Sequence, residues 1–448
     1  MWSGLIRMGL MQRQEPSKPA RRRVLRMRTL LYLTGAGIVV WLLPGYAYTD
    51  HLYKLSPYPD GKNFAFTITH DADRSKMAVV EAMYKFLEDI GMRTTVAVWV
   101  KQADRSDGMP DIERQSVRDL TLEDPEYRSY IRQLHEKGFE IALHTVSRGN
   151  DVRSKTIEGY EEFSKIFGFY PKMNIMHSKN LENVYWGRKV FSSKLGQWMV
   201  GDLMALAYTK ARFPFSGEDP NSQYFWGDIL RDRTKYVRLW GTRDINTLNF
   251  NPSMPYHDSE KPLVNFWFSF SHGSDLQAFR DLTIPKNVKQ LTSKRGACIV
   301  YAHFGAEYLK TREGGADELD EQIRSQLKNI STQKDGWFVP ASELLDRLLA
   351  MKNVTLVDKE NALIIANSNP FSVEGITLLI PRDVVLEDLN GHEFRANEEG
   401  EIVVGTLAGN QSITLYKNRS CHYVDRCSPT FLERVRLLTG RILAGRSG

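Results

Sequence analysis

Phe64-Ala-Phe-Thr-Ile-Thr-His-Asp-Ala-Asp73 joins a run of strand formers to a cluster of ionisable side chains. The β-branched and aromatic residues from Phe64 to Thr69 predict a strand, and the acidic pair Asp71 and Asp73 falls where it stops. A helix follows: Val79, Met83, Phe86, Leu87 and Ile90 share one face of SKMAVVEAMYKFLEDIG, and Gly91 ends it. Thr94 to Val100 reads as the next strand, a helix from Pro125 to Lys137 stops at Gly138, and FEIALHT (139–145) is a third strand. A helix from Ser154 to Phe167 ends at Gly168, and KMNIMH (172–177) is a fourth strand. ACIVYAHF (297–304), a helix from about 316 to 330, WFVP (337–340) and a helix from 341 to 349 resume the rhythm. Repeated strand and helix units predict an α/β domain around a largely parallel sheet or barrel.

The 448 residues allow two or three domains, and 42% hydrophobic residues with 25% charged exclude a disordered or fibrous chain. Sixty Lys and Arg against 54 Asp and Glu give a net charge of +6, with much of the excess in the first 30 residues and at the C-terminus. The near-neutral middle carries no basic stripe, which argues against a nucleic-acid partner. Three cysteines cannot build a disulfide scaffold. Cys298 reads as a small buried apolar residue, and Cys421 and Cys427 are near enough to pair in an oxidising compartment.

Residues 1–28 form a basic segment that precedes the charge-free run TLLYLTGAGIVVWLLPGYAY at 29–48. Its length matches the roughly 20 residues of a membrane-spanning helix, and the arginines before it predict a cytoplasmic N-terminus with the rest exported. A signal peptide cleaved near Gly45 and Ala47 is the competing reading. Residues 57–352 hold the alternating elements. Trp186, Trp198, Trp226, Trp240 and Trp267 fall in a less regular stretch, where they read as core or as platforms for sugar rings. Residues 353–417 change to short strands separated by Asn, Gly and Pro turns and read as a small β-sandwich-like module. The basic tail at 418–448 spaces Phe431, Val435, Leu438 and Ile442 as an amphipathic helix would.

Asp71 and Asp73 end the first strand, His144 the third, His177 the fourth and His303 the late one. In parallel barrels the C-terminal strand ends converge on one face, so these five would meet there. Two imidazoles and a carboxylate are the donor set of a catalytic zinc site with positions left open, and a second carboxylate suits a proton acceptor. Loop residues His257 and His272 read as solvated, and His70 either lines the cavity or points into the core. The chain has no G-x-S-x-G elbow and no phosphate loop.

TITHDADR, ALHT and YAHFG make the stretch from Phe64 to Leu349 similar to the polysaccharide deacetylase family, also called carbohydrate esterase family four or the chitooligosaccharide-deacetylase homology domain. The resemblance implies a distorted (β/α) barrel of fewer than eight units that uses a zinc-type divalent metal to remove N-acetyl groups from a polysaccharide or oligosaccharide. By motif, Asp71 becomes the general base, Asp73 and His144 metal ligands, and His303 the acid that protonates the leaving amine. RLWGTRD (238–244) is a weaker match to the family's Trp and Asp pair that orients the late histidine, here Trp240 and Asp244. The family places its second ligand histidine four residues after the first, where this chain has Arg148. Arginine stays protonated and is no ligand, so His177 from the neighbouring strand end is expected to supply that imidazole. The expected protein is a membrane-anchored carbohydrate deacetylase. A glycan-binding envelope protein in which Arg148 pairs with Asp71 or Asp73, and a glycoside hydrolase or lyase working through paired carboxylates, are the alternatives.

Overall fold

A computed structural model describes residues 29–34, 37–42, 52–73, 75–104, 119–178, 180–191, 193, 197, 214–305, 308–311 and 317–419. Two compact units contain them, Met1–Leu52 and Tyr53–Gly448. In the first, β1 (Thr29–Thr34) and β2 (Gly37–Leu42) pair antiparallel. The expected helix over 29–48 is therefore replaced, within the described residues, by a hairpin. Both segments are rich in Leu, Val, Ile and aromatic residues, and periodicity alone cannot separate strand from helix in short apolar runs. Among the described residues no helix is long and apolar enough to cross a membrane. The Cys421 and Cys427 pair and the tail from 420 lie outside the described residues.

The second unit opens with β3 (Lys54–Leu55) and continues with β4 (Phe64–His70), α1 (Met77–Asp89), β5 (Thr95–Val98), α2 (Pro125–Glu136), β6 (Glu140–Leu143), α3 (Arg153–Phe167) and β7 (Met173–Asn174). After α4 (Gly227–Arg233) come β8 (Tyr236–Thr242), α5 (Thr247–Phe250), β9 (Phe266–Gly273), α6 (Leu276–Leu282), α7 (Pro285–Ser293) and β10 (Ala297–Ala302). Strands β4 to β10 pair in sequence order, all parallel, and β10 returns to β4 with Ala297 opposite Ala65 and Ala302 opposite His70. That closes a seven-stranded barrel. Beyond the short hairpin of β11 (Leu309–Thr311) and β12 (Asp317–Leu319), α8 (Glu321–Ser331) leads to β13 (Gly336–Trp337), which pairs with the first residues of β4. Helix α9 (Ala341–Met351) follows.

Strand alternation sorts the barrel side chains into two clusters. Phe64, Phe66, Ile68, Val96, Val98, Ile141, Leu143, Cys298 and Val300 pack with α1, α2 and α3 on the outside. Ala65, Ala97, Ala142, Met173, Ile175, Tyr236, Phe268, Ala297 and Ile299 form the other cluster with Tyr58 and α9. Small residues on several strands leave room for the larger ones opposite, as the interior of a narrow barrel requires. Cys298 is buried and unpaired, as expected. Trp226 and Trp267 belong to the core, Trp186 and Trp240 are half-buried, and Trp198 lies outside the described residues.

The remaining strands are β14 (Val354–Lys359), β15 (Ala362–Asn367), β16 (Val373–Leu379), β17 (Val384–Glu387), β18 (Glu393–Arg395), β19 (Glu401–Leu407) and β20 (Gln411–Arg419). They form a five-stranded sheet ordered β14-β15-β20-β17-β18 and a three-stranded one ordered β19-β16-β3, around one core that includes Leu363, Ile376, Leu378 and Leu415. β3 thus brings residues from before the barrel into the module. Arg295, next to β10, pairs with the buried Glu401 at 2.6 Å, and Arg347 of α9 donates to the carbonyls of Pro57 and Glu374. These polar ties pin the module to the barrel.

Ile299→Ala would empty a close-packed interior position and should cost about 2–5 kcal/mol of unfolding free energy. The urea midpoint should fall at unchanged slope. A loss below about 0.5 kcal/mol, typical of surface changes, would contradict the packing described.

Candidate metal centre

The inward register of the strands carries straight into the ionisable residues. Asp71 and Asp73 continue the Ala65 face of β4, His144 that of Ala142, His177 that of Met173 and Ile175, Arg238 that of Tyr236, and Tyr301 and His303 that of Ile299. His70 has the opposite parity. It points into the outer core, with Nδ1 3.1 Å from the Tyr84 hydroxyl, Nε2 3.3 Å from Ser75 Oγ and its ring stacked on Phe304. Burial depresses its pKa to about 3, so it stays neutral.

Asp73 is the hub. Its Oδ2 lies 2.9 Å from His144 Nε2 and 3.3 Å from His303 Nε2, and its Oδ1 3.4 Å from His177 Nε2. The far nitrogen of each ring is committed elsewhere. His144 Nδ1 donates to the Ile175 carbonyl at 2.7 Å, and His303 Nδ1 to the Ser274 carbonyl at 2.9 Å. His177 Nδ1 donates to Asn180 Oδ1 at 2.8 Å. The orientation of that amide follows from its other end, where Nδ2 donates to Ser147 O, Gly149 O and Glu182 Oε1. The neutral rings of His144 and His177 therefore turn a bare Nε2 lone pair towards a carboxylate that can only accept, and His303 turns there an Nε2 that the Tyr301 hydroxyl also reaches, at 2.8 Å. Lone pairs facing lone pairs repel unless positive charge lies between them, as protons or as a metal cation.

Without a metal the protons do this work. Burial alone would lower the pKa of His177, but the charge and hydrogen bond of Asp73 raise it above the usual value. Burial opposes protonation of His303 too, and hydrogen bonding to Asp73 with the charges of Asp73 and Asp71 raises it. Burial pushes the Asp73 carboxyl up, yet the charge of His177 and hydrogen bonds from the three imidazoles hold it well below the usual range.

The residues also fit a metal. Ligand atoms bound tetrahedrally at zinc distances of about 2.0–2.1 Å are separated by roughly 3.3 Å. The Asp73 contacts to His144 and His177 bracket that spacing, and the donor atoms of the three lie within 4.8 Å of one another. A second such group, Asp71, Asp73 and His303, shares Asp73. The anchored Nδ1 atoms are the outer hydrogen bonds that metal-bound histidines need. Trp99 stacks on His144 with centroids 5.5 Å apart, and Thr145, next in the chain, has φ +55°, a left-handed conformation strained for a β-branched residue.

Asp71 has an oxygen within 4.8 Å of the Asp73 and His303 donor atoms and is 1% exposed. Arg238 grips it as a fork, Nη1 to Oδ1 at 2.8 Å and Nη2 to Oδ2 at 2.5 Å, with Nη1 also 3.3 Å from Thr69 Oγ1. The guanidinium lies over the rings of Tyr301 and Phe270, at 4.2 and 5.0 Å. Arg148 pairs with Asp119 at 3.3 Å, so the arginine on Asp71 is Arg238 and the expected alternative pairing of Arg148 does not form. Asp244 accepts from Asn246 N and Asn249 Nδ2, and Trp240 packs on Phe191; His303 is oriented by Ser274 instead. His257 is exposed and donates to Asn265 O, while His272 lines a cavity of about 470 Å³ with Arg243, Ser274, Asp275, Gln277 and Asp281. Arg238, Asn180, Trp99 and Tyr301 were not singled out from the sequence. Strand parity would have placed Arg238 and Tyr301 on the inner face, whereas the reach of Asn180 to two loops has no sequence signal.

No family model matches the chain, and no curated protein matches it. Among solved structures it is similar to a Mycobacterium smegmatis protein assigned as a polysaccharide deacetylase, at 14% identity over 68% of this chain and 96% of that one, with a TM-score of 0.37. It is similar to the PuuE allantoinase at 10% identity over 68% of this chain and 95% of that one, TM-score 0.37. The chitin deacetylase of the fungal pathogen Colletotrichum lindemuthianum matches at 13% identity over 64% of this chain and 89% of that one, TM-score 0.30.

Arg238→Met should strand a buried carboxylate and cost about 3–5 kcal/mol, and the double variant with Asp71→Asn should recover much of it. Additive losses in chemical denaturation would disprove the coupling. The raised pKa of His177 has a signed consequence as well. Its proton stabilises the metal-free fold below about pH 6.5, the unfolded value, and that contribution is lost as pH rises through the higher folded value. Metal competes for the same nitrogen, so zinc affinity should climb through this window. A pH-independent affinity in titration calorimetry would count against His177 as a ligand.

Proposed function

We propose that this protein is a metal-dependent hydrolase that removes acyl groups, N-acetyl in the first instance, from a polysaccharide or oligosaccharide. The observation that carries this is the meeting of three oriented Nε2 atoms on Asp73 beside the buried, arginine-held Asp71. Asp73, His144 and His177 would hold the ion. A zinc-type cation there supplies a Lewis acid that polarises the acyl carbonyl and acidifies water. Asp71 accepts the proton of the attacking water; the Arg238 fork fixes its direction and leaves each oxygen a second lone pair. His303, which faces the other carboxylate oxygen of Asp73 from His177, gives a proton to the departing nitrogen. The cavity lined by Arg243, His272, Ser274, Gln277 and Leu282, part polar and part apolar, adjoins the Ser274 carbonyl that orients His303 and has room for a sugar unit. The basic segment before the apolar run at 29–48 supports attachment to, or export across, a membrane, with a cell-envelope glycan as substrate.

Elemental analysis of the full chain, with acetate release from N-acetylated oligosaccharides, tests the reading. About one zinc-like ion per chain is expected, lost in Asp73→Ala and His177→Ala. Asp71→Asn should keep the ion and lose at least about 100-fold in kcat. A chain that takes up no metal, or an Asp71→Asn variant of full activity, would overturn this mechanism and leave glycan binding without turnover.

A further inference from the structure

We propose that Tyr301 is a positioning residue for the imidazole of His303, an assignment that rests on the reading of His303 as the proton donor. The Tyr301 hydroxyl is 2.8 Å from His303 Nε2, and the other ring nitrogen is held by Ser274 O at 2.9 Å. His303 is thus pinned at both nitrogens. Because Nδ1 donates to a carbonyl, Nε2 of the neutral ring is a lone pair and the tyrosine O–H is the donor to it.

A phenolic hydroxyl can also accept, and that is what the reaction needs. Before transfer, the His303 imidazolium carries Nε2–H, with the Tyr301 oxygen as an acceptor beside the departing nitrogen. As the C–N bond breaks, the nitrogen leaves with the bonding electron pair and takes the Nε2 proton. The carbonyl carbon keeps the oxygen of water, whose proton is on Asp71. The now neutral Nε2 accepts the Tyr301 O–H, which has only to rotate about its C–O bond. One side chain satisfies both protonation states of the donor in the same ring plane, so the imidazole need not reorient during turnover.

The phenol is itself fixed. The Tyr301 ring lies under the Arg238 guanidinium that forks Asp71 and meets the Phe270 ring edge-on, with centroids 5.4 Å apart. The group that receives the water's proton and the group that supplies the amine's proton are therefore spaced by one rigid stack, Asp71 to Arg238 to Tyr301 to His303. Tyr301→Phe retains the ring and its packing and removes only the hydroxyl.

The test compares the full-length wild type and Tyr301→Phe on two substrates, an N-acetylated oligosaccharide, whose amine must be protonated to leave, and a nitrophenyl acetate, whose phenolate needs no proton. The variant should lose about 10- to 100-fold in kcat on the amide with KM changed less than about 2-fold, and less than about 3-fold on the ester. Equal losses on both substrates, or none on either, would overturn the assignment. Nitrogen NMR of the histidine rings reads the same contact without turnover: the His303 Nε2 resonance should shift in Tyr301→Phe while that of His144 stays. An unmoved His303 resonance also overturns it. A wild type inactive on both substrates but with the expected His303 shift would refute the hydrolase reading while upholding the positioning contact.

Discussion

Arg238 and Asp71 meet as a buried fork at the top of the barrel interior, and the chemistry above depends on that pair. Neither charge is tolerable alone in such a place, where a lone carboxylate or guanidinium would keep a desolvation cost of several kcal/mol. Together, with Thr69 Oγ1 on one side and the rings of Tyr301 and Phe270 against the guanidinium, they form a polar lid on an apolar core. A buried ion pair of this kind adds little to stability compared with a well-packed apolar substitute. Its effect here is directional: it sets where the carboxylate oxygens of Asp71 face, one turn of chain before the hub at Asp73.

Around that hub the structure obeys one electrostatic rule. Every imidazole that reaches Asp73 has spent its other nitrogen on an oxygen acceptor, two carbonyls and one amide. The site is therefore built for positive charge between nitrogen and carboxylate, whether protons or a metal. The acceptors come from two loops, those after β7 and β9, so the tautomers are a property of the folded barrel and not of any one segment. The tether at Asn180 also holds His177 within reach of Asp73: it ties the loop after β7 to the loop after β6 through Ser147 and Gly149. Arg148 pairs with Asp119.

Much of this was legible from pattern alone. FAFTIT, TTVAVWV, FEIAL and ACIVYA all became barrel strands, and the short-strand region from 353 became two sheets, because alternation and β-propensity are local quantities. KMNIMH shrank to a two-residue strand, and the run at 29–42 became a hairpin, because short apolar segments fit either period and their partners decide. Two strands of the module, β17 and β18, have no long apolar run to mark them. The assignment of Asp244 to His303 had only a weak motif behind it, and the structure uses the Ser274 carbonyl, a group that every residue possesses and no sequence motif can mark.

Local pattern is enough to read the alternation of strand and helix and the placing of Asp71, Asp73, His144, His177 and His303 at strand ends, while the direction of His70 stays open until the fold is seen. The alternation and the strand ends follow from the two-residue period of a strand, which needs no partner to be read. Only the assembled barrel decides the partner of Asp71 and the ring tautomers, whereas Tyr301 and His303 are two apart on one strand end and share a face by parity. The partner and the tautomers are set by which strands lie side by side once β10 closes on β4, and hydrogen bonds over separations of up to 167 residues leave no trace in local spacing.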